Sequence, residues 1–599
     1  MEEKEVILQN IQLPQDDICD RYDMYFHREG EVFYLKEGEV EFNKGGVCVL
    51  DTYFNGISID KWKKYTNIGK ITAKIRLKGR FKVWTGYVYR VSPTDIRRII
   101  TYRTVVESDG RTELTIPFED GRGMLYMQME ALSDTGVFYG GTYNTEVENE
   151  RNVRIGIGIC TFKRETFITK NIGILNERVF ENSSSMLNGH LEVFISDNGK
   201  TLDMDRLSSE HIHMFRNKNT GGAGGFTRTL IEMWSGNKEY KLTHALLMDD
   251  DILLDVGALE RTYRILSIVK DEYIDTFIGG AMLRNDNKDV QEEAGASWNA
   301  GKLISYKKGL QLLDTEPCLY NESEERYEFN AWWYCCFPMT VVNDKNLPLP
   351  IFIRGDDLEY GLRNMKNLIL MNGICVWHEP FENKYSSFLN YYITRNMFID
   401  NAFHFPHYDA GDAVKDFSLL ALREILLYRY KNARLLMRGV EDFLKGVDFF
   451  LETDGEKLHK EIMSGGYRME DPEKLGRKVY LRDYEETLFK DDSRRHKIIR
   501  ALNMNGHWAP VKKDTVTVSM SHVNTSNNYR VREVINYDVI SGKIFITEKD
   551  NKEMFSCLMK LIGLRIKLRF KYNKAKNDFI SRGDELKSLD FWKKYLELN

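Results

Sequence analysis

Between residues 71 and 78 apolar and polar side chains alternate: Ile71, Ala73, Ile75 and Leu77 against Thr72, Lys74, Arg76 and Lys78. A period of two sets one face on a core and the other in water, the mark of an antiparallel strand. Gly79-Arg80 interrupts the run, Phe81, Val83, Tyr87 and Tyr89 open a second strand, and residues 124–129 read as a third. Ser108-Asp109-Gly110 and Asp120-Gly121 read as turns. Residues 1–150 are therefore expected to form an antiparallel β-sandwich. Near residue 152 the pattern changes. Residues 153–160 form an apolar strand, a helical segment follows, and residues 191–196 form a second strand ending in Asp197-Asn198-Gly199. The alternation continues to about residue 400 and predicts an α/β layout with a mostly parallel sheet over 151–405. Ligands of such sheets collect at the carboxyl ends of the strands. From about residue 412, Phe417, Leu420, Ile425, Leu435, Leu436, Val440 and Phe443 recur at helical spacing, so 406–599 is expected to be mainly helical. Within it, 503–530 is Asn/Ser-rich and reads as a loop or linker, and 560–576 is amphipathic and basic.

The chemistry concentrates where Ala245-Leu246-Leu247-Met248 runs into Asp249, Asp250 and Asp251. Three adjacent carboxylates at the end of a buried strand repel one another and are costly to desolvate. A hard divalent cation, Mg²⁺ or Mn²⁺, is their usual partner. In an extended segment Asp249 and Asp251 point to one side, toward a metal, and Asp250 to the other. A solvated acidic turn is the plain alternative, but it does not need apolar runs on both sides.

Further along, Gly156-Ile157-Gly158 lacks the third glycine of a dinucleotide loop and suits a strand against which a helix packs closely. Gly221-Gly222-Ala223-Gly224-Gly225 precedes a helix expected from near Thr227; it lets backbone N–H groups approach a diphosphate, or is simply a flexible loop. Asp356-Asp357 opens a predicted helix, as cap or as general base. His378 with two carboxylates would make an O,O,N site for Mn²⁺, although a lone histidine is more often an ordinary core or surface residue. Trp332-Trp333-Tyr334 is either aromatic core or a sugar-stacking platform.

Composition narrows the class. A chain of 599 residues needs several domains, and 42% hydrophobic with 29% charged residues excludes a disordered chain. A net charge of −5 gives no case for nucleic acid. The eight cysteines form no CxxC pair and read as reduced core thiols, which points to the cytoplasm. No signal-peptide pattern and no stretch of transmembrane length is present, so membrane contact is expected only as a peripheral one, through the basic segment around Arg565, Lys567, Arg569 and Lys571.

Taken in order, Ile159-Cys160-Thr161-Phe162-Lys163-Arg164, Asp197-Asn198-Gly199, the glycine cluster after Asn219, Met248-Asp249-Asp250-Asp251, Ala331-Trp332-Trp333, Arg354-Gly355-Asp356-Asp357 and Val376-Trp377-His378 resemble a family-2 glycosyltransferase of the GT-A fold. The full series is similar to the polymerising galactofuranosyltransferases. The resemblance implies a β-sandwich at 1–150, a GT-A domain at 151–405 and a helical domain at 406–599. It also implies an inverting, metal-dependent transfer of a sugar, galactofuranose by the closest likeness, from a UDP-sugar donor to a hydroxyl of a glycan or lipid-linked glycan. Thr161, Arg164, Asp197, Asn219 and Asp250 would bind the nucleotide-sugar. Asp249, Asp251 and His378 would hold Mn²⁺ or Mg²⁺, Asp357 would be the base, and Asp356, Trp332 and Trp333 would face the acceptor. A homo-oligomer at the inner face of the cell membrane is the implied setting. Lys163 and Glu165 stand where that family often has Asn and Pro, which leaves the sugar open. Another UDP-hexose donor, or a non-catalytic carbohydrate-binding protein, are the alternative readings.

Overall fold

The computed structural model describes residues 3–35, 38–380, 385–488 and 493–598, apart from the side chain of Arg494. The N-terminal part is β-rich, with nine strands in one hydrogen-bonded network. Its long strand Ile71–Ser92 pairs with Asp95–Pro117 along its length. On the other edge it pairs first with Thr135–Val147 and then with Met124–Ala131. Gly79-Arg80, expected to end a strand, is instead where this partner changes, because pairing with Asp95–Pro117 carries the backbone through. Ser108-Asp109-Gly110, expected as a turn, lies inside Asp95–Pro117: Lys78 pairs with Asp109 but Arg76 with Glu113, so the surplus residues bulge. The expected sandwich is thus one continuous network turning on a single long strand, not two separate sheets.

The central sheet has seven strands in the order Ile212–Arg216, Leu191–Asp197, Ile155–Thr161, His244–Asp249, Cys335–Pro338, Phe277–Gly279, Leu368–Ile369. The first four are mutually parallel, and Cys335–Pro338 runs antiparallel to both its neighbours. Gly156 and Gly158 sit within Ile155–Thr161. A methyl on either would meet Met233 or Thr229 of the helix Gly221–Ser235, so their absence of side chain sets how closely that helix packs. A second sheet follows the order Leu253–Leu254, Cys375–His378, Ala281–Arg284, Val290–Glu293, Leu310–Gln311.

One apolar core runs from the N-terminal network into the central sheet and takes in Trp592 and Leu596 of the helix Leu589–Leu596. The N-terminal part braces the triplet region directly. Gln12 Nε2 donates to Asp255 Oδ2 at 2.9 Å, and the Phe54 ring lies 6.0 Å from that of Trp377. A second core holds the C-terminal helices, among them Ala410–Leu426, Tyr430–Phe443 and the 36-residue Asn551–Leu586. Residues 503–530 are not the expected linker: they contain the strand Lys513–Ser519 of a three-stranded sheet, and Asn527 and Asn528 are buried. Their amide groups donate to the carbonyls of Thr487 and Leu427, so the polarity of this stretch serves backbone groups inside the fold.

Helix Asn551–Leu586 is apolar on two opposite faces. Met554, Cys557, Leu561, Leu564, Leu568 and Tyr572 are buried. Phe555, Met559, Ile562, Ile566 and Phe570 are 47–82% exposed. Among the described residues no helix is long and apolar enough to cross a membrane.

Candidate active site

Asp249 ends the strand His244–Asp249, and Asp250 and Asp251 form the turn after it. Leu253–Leu254 then pairs antiparallel with Trp377 and Val376, which brings His378 to the triplet. His378 Nε2 lies 3.1 Å from Asp251 Oδ1 and 3.8 Å from Asp249 Oδ2. One ligand atom from each of the three lies within 4.8 Å of the others, a hard O,O,N donor set that fits Mn²⁺ or Mg²⁺. Asp250 Oδ1 lies 2.7 Å from Arg164 Nη1, and the same nitrogen reaches Asp251 Oδ2 at 2.8 Å. Asp250 stands outside the O,O,N group, but in the turn Arg164 bridges it to Asp251, so the two are not set on opposite sides as an extended segment would set them. Burial above all pushes the Asp249 carboxyl up to about 7; His378 opposes the shift, and Asp251 and Asp250 add to it. A carboxyl held there gains from a nearby cation, which restores its charge.

The nucleotide-side residues divide in two. Arg164, Asn219 and Asp250 line a cleft of about 810 Å³ together with Cys160, Gly222 and Asp249. Thr161 and Asp197 do not reach it as expected. Thr161 is buried, and its hydroxyl makes no hydrogen bond among the described residues. Asp197 is completely buried, and its two oxygens accept from the N–H groups of Gly199 at 3.0 Å and Leu202 at 2.9 Å. Its carboxylate is spent on folding the loop that carries Lys200 to the cleft, so its contact with a ligand would be indirect.

The glycine cluster also differs from expectation. The helix starts at Gly221, not near Thr227, and the glycines form its first turns. Gly221 adopts φ 74° against the carbonyl of Phe352, a conformation that favours glycine. A methyl on Gly225 would collide with Cys160 Sγ, and one on Gly224 would stand 3.5 Å from the Trp592 ring. The cluster thus seats a helix N-terminus, and with it the positive end of the helix dipole, at the cleft.

Asp356 and Asp357 open the helix Asp356–Asn364 after Gly355, which has φ 98°. Asp357 Oδ1 accepts from the N–H of Leu358 at 2.7 Å. Burial raises both carboxyls. The charge of Asp357 raises Asp356 further, well above the ordinary range, whereas the Leu358 N–H and Arg354 restrain Asp357. Of the pair, Asp357 has the local partners that favour its charged form, and Asp356 has the neighbouring charge that opposes it. A methyl on Gly222 would lie 3.7 Å from Asp356 Oδ2, so the doublet adjoins the cleft.

Trp332 and Trp333 are buried, 5% and 4% exposed. Trp332 packs edge-on to Phe226 and Tyr360, and Trp333 Nε1 donates to the carbonyl of Gly280 at 2.9 Å. They offer no open ring face for sugar stacking; Trp332, through Tyr360, instead supports the helix that carries Asp356 and Asp357. Glu293, at the end of Val290–Glu293, went unnoticed in the sequence. Burial pushes it up to about 7; Ser305 donates a hydrogen bond to it, and the charge of Asp357 reaches it. A Glu-Glu doublet in a short strand gives no local sign of this.

A family model described as Galactofuranosyltransferase 2 N-terminal matches residues 8–144. The galactofuranosyltransferase GlfT2 of Mycolicibacterium smegmatis is 24% identical over 428 residues, which cover 66% of this chain and 63% of that protein. GlfT2 of Mycobacterium tuberculosis is 24% identical over 448 residues, 68% of this chain and 67% of its own length. The chain thus spans a little under two thirds of the first of these relatives. A solved mannosyltransferase of Pyrobaculum calidifontis, in complex with GDP-Man and Mn²⁺, aligns at 12% identity and a TM-score of 0.26, over 42% of this chain and 64% of that one. A likeness that low carries no argument. The resemblance read from the motifs is therefore also a resemblance along most of the chain.

Proposed function

We propose that this chain is an inverting, metal-dependent glycosyltransferase of the GT-A type, which moves galactofuranose from a UDP donor to a hydroxyl of a glycan or lipid-linked glycan. The observation that carries the reading is the convergence of Asp249, Asp251 and His378 at the carboxyl end of a central strand, beside a cleft rimmed by Arg164 and lysines and next to a separate carboxyl pair. The similarity to the two GlfT2 proteins supports galactofuranose as the sugar. Residues 1–150, 151–405 and 406–599 are read as brace, catalytic and helical domains.

In this reading Asp357 takes the proton of the acceptor hydroxyl. The hydroxyl oxygen forms a bond to the anomeric carbon as the bond from that carbon to the β-phosphate oxygen breaks. UDP leaves with the electron pair, and the configuration inverts. Asp249, Asp251 and His378 would hold Mn²⁺ or Mg²⁺, which neutralises the charge of the departing diphosphate when bound. Asp250 holds Arg164 at the cleft, and Arg164 and the N-terminus of Gly221–Ser235 stabilise the same charge. Asp356 binds the acceptor beside Asp357, and Trp332 acts on the acceptor only through the helix it supports. The setting is the cytoplasmic face of a membrane. There the exposed stripe of Asn551–Leu586, flanked by cationic side chains, would rest on anionic lipid; self-association belongs to the same reading.

The test is UDP release from a panel of UDP-sugars with Mn²⁺ and a galactan acceptor. UDP-galactofuranose should be turned over and the pyranose donors should not. Turnover of UDP-glucose alone would move the donor assignment to another UDP-hexose, and no turnover of any donor would sink the enzyme reading.

A further inference from the structure

The cleft has a wall that no motif announced. The helix Gly455–Ser464, from the C-terminal part of the chain, presents Glu456, His459, Lys460 and Met463 to the same space as Asp249 and Asp250. It is firmly seated. Asp454 caps it by accepting from the N–H of Lys457 at 3.0 Å, and Lys218 Nζ reaches Asp454 Oδ2 at 3.3 Å. Gly455 allows close approach to Phe352 and Tyr595, since a methyl there would strike the Tyr595 hydroxyl.

His459 is clamped on three sides. Its ring stacks on Phe352 with centroids 4.6 Å apart and planes at 25°, and meets the edge of Phe388 at 5.1 Å and 84°. Its Nδ1 lies 3.0 Å from the hydroxyl of Tyr392, which is completely buried. Burial holds the Tyr392 hydroxyl in its protonated form and lowers the basicity of His459, so both are neutral near pH 7. The Tyr392 O–H has no other acceptor among the described residues. A buried donor left without an acceptor is costly, so the phenol donates to Nδ1. Nδ1 is then the acceptor, and the ring proton sits on Nε2. Among the described residues Nε2 has no hydrogen-bond partner.

Cations line the same cleft. Lys163 and Lys200 line the cleft from the ends of two neighbouring strands, and neither forms an ion pair among the described residues. Lys460 follows His459 on the wall, paired with Glu456 at 2.9 Å. A neutral, oriented N–H donor in a cleft that Lys163, Lys200 and Arg164 also line, together with carboxylates suited to a metal, matches the oxygens of a diphosphate better than a nucleobase edge.

We infer that His459 is a binding residue for the diphosphate of the nucleotide, donating from Nε2 to a phosphate oxygen, and that Gly455–Ser464 is the outer wall of the donor cleft. The inference rests on the nucleotide-sugar reading of that cleft. It gives the C-terminal helical part a direct share in donor recognition, with Tyr392 as the positioning residue that fixes the tautomer.

Calorimetric titration of the full chain with UDP and with uridine, both with Mn²⁺, tests it. His459→Ala should weaken UDP about tenfold, the scale of one hydrogen bond to a charged group, and leave uridine unchanged. Tyr392→Phe should weaken UDP by a smaller factor, about threefold, because the imidazole is then free to place its proton on either nitrogen. His459→Gln, which keeps a donor on a side chain of similar reach, should recover part of the loss and covers the case in which the alanine variant folds poorly. Wild-type UDP affinity in both His459 variants would overturn the inference while leaving the nucleotide reading intact. Equal losses for UDP and uridine would overturn the phosphate assignment. Failure of the wild-type chain to bind UDP at all would overturn the parent reading, and this inference with it.

Discussion

Replacing Asp357 by Asn separates catalysis from architecture. The amide keeps an oxygen to accept from the Leu358 N–H, now 2.7 Å from Asp357 Oδ1, so the start of the helix should be undisturbed. It removes the only feature Asn cannot supply, a site for the acceptor proton. Loss of a positioned base costs about 10²–10⁴ in rate, or about 2.7–5.4 kcal/mol of barrier. Stability should move the opposite way. The Asp357 carboxyl is raised above its ordinary 3.8 by burial. A carboxyl raised in the folded state contributes stability below its unfolded pKa and loses it as pH rises through the folded value. Once pH has risen through the folded value that contribution is gone and the cost of burying charge remains. The neutral amide avoids the cost, so the variant should unfold at the same temperature as the wild type or a higher one. The assay pairs UDP release at saturating donor with calorimetric UDP binding and a thermal melt. The expected result is turnover down by at least a hundredfold, UDP affinity within about twofold and an undiminished melting temperature. Turnover within a few-fold of wild type would refute Asp357 as base. A parallel loss of turnover, UDP binding and melting temperature would refute the separation of base from donor site. For the wild type, the acid limb of kcat/KM should lie above the ordinary carboxylate range, since the base must ionise against its burial.

Other consequences are accessible to simpler measurements. Mn²⁺ should raise the melting temperature of the wild-type chain, and His378→Ala should abolish most of that increase, measured by differential scanning fluorimetry across a metal titration; an undiminished shift would move the metal elsewhere. Gly225→Ala forces a methyl onto Cys160 Sγ and should destabilise the fold by about 1–3 kcal/mol in urea denaturation, with Cys160→Gly in the same chain recovering part of it. Ile566→Glu with Phe570→Glu should prevent flotation with anionic liposomes while UDP release from a soluble acceptor is kept; flotation unchanged by the pair would dismiss the stripe as a lipid contact.

What could be read from the chain in advance was chemistry carried by adjacent residues. The triplet 249–251 announced itself because apolar runs on both sides left its charge nowhere else to go, whereas the turn that lets Arg164 bridge Asp250 and Asp251 was not legible. The helical C-terminal segments and the parallel strands followed from periodicity. What escaped depends on contacts between distant residues. Asp197 stands at a strand end like any ligand residue, but the loop beyond it claims both oxygens. Trp332 and Trp333 read alike as platform or core until Phe226, Tyr360 and Gly280 surround them. The asparagines near 527 satisfy carbonyls some 40 and 101 positions away in the chain, so their polarity falsely suggested a linker. His459 lies in an ordinary amphipathic helix, and only Phe352, Phe388 and Tyr392 give it a direction.

The seating of Trp592 has a practical consequence for dissecting the protein. Its indole N–H donates to the carbonyl of Pro348 at 2.9 Å, its ring stands beside Gly224, and Lys218 reaches Glu597 at 2.9 Å. A fragment cut after residue 405 would keep the triplet, His378 and the carboxyl doublet, yet lose the residues that back the glycine helix. Trp592 and Leu596 would leave a gap in the central core, and removing a buried tryptophan alone costs about 3–5 kcal/mol. The piece that looks like a transferase in sequence is therefore not a portable module. Grafting its chemistry onto another scaffold, or expressing it alone, requires the last helix to come with it or a redesigned surface to stand in its place.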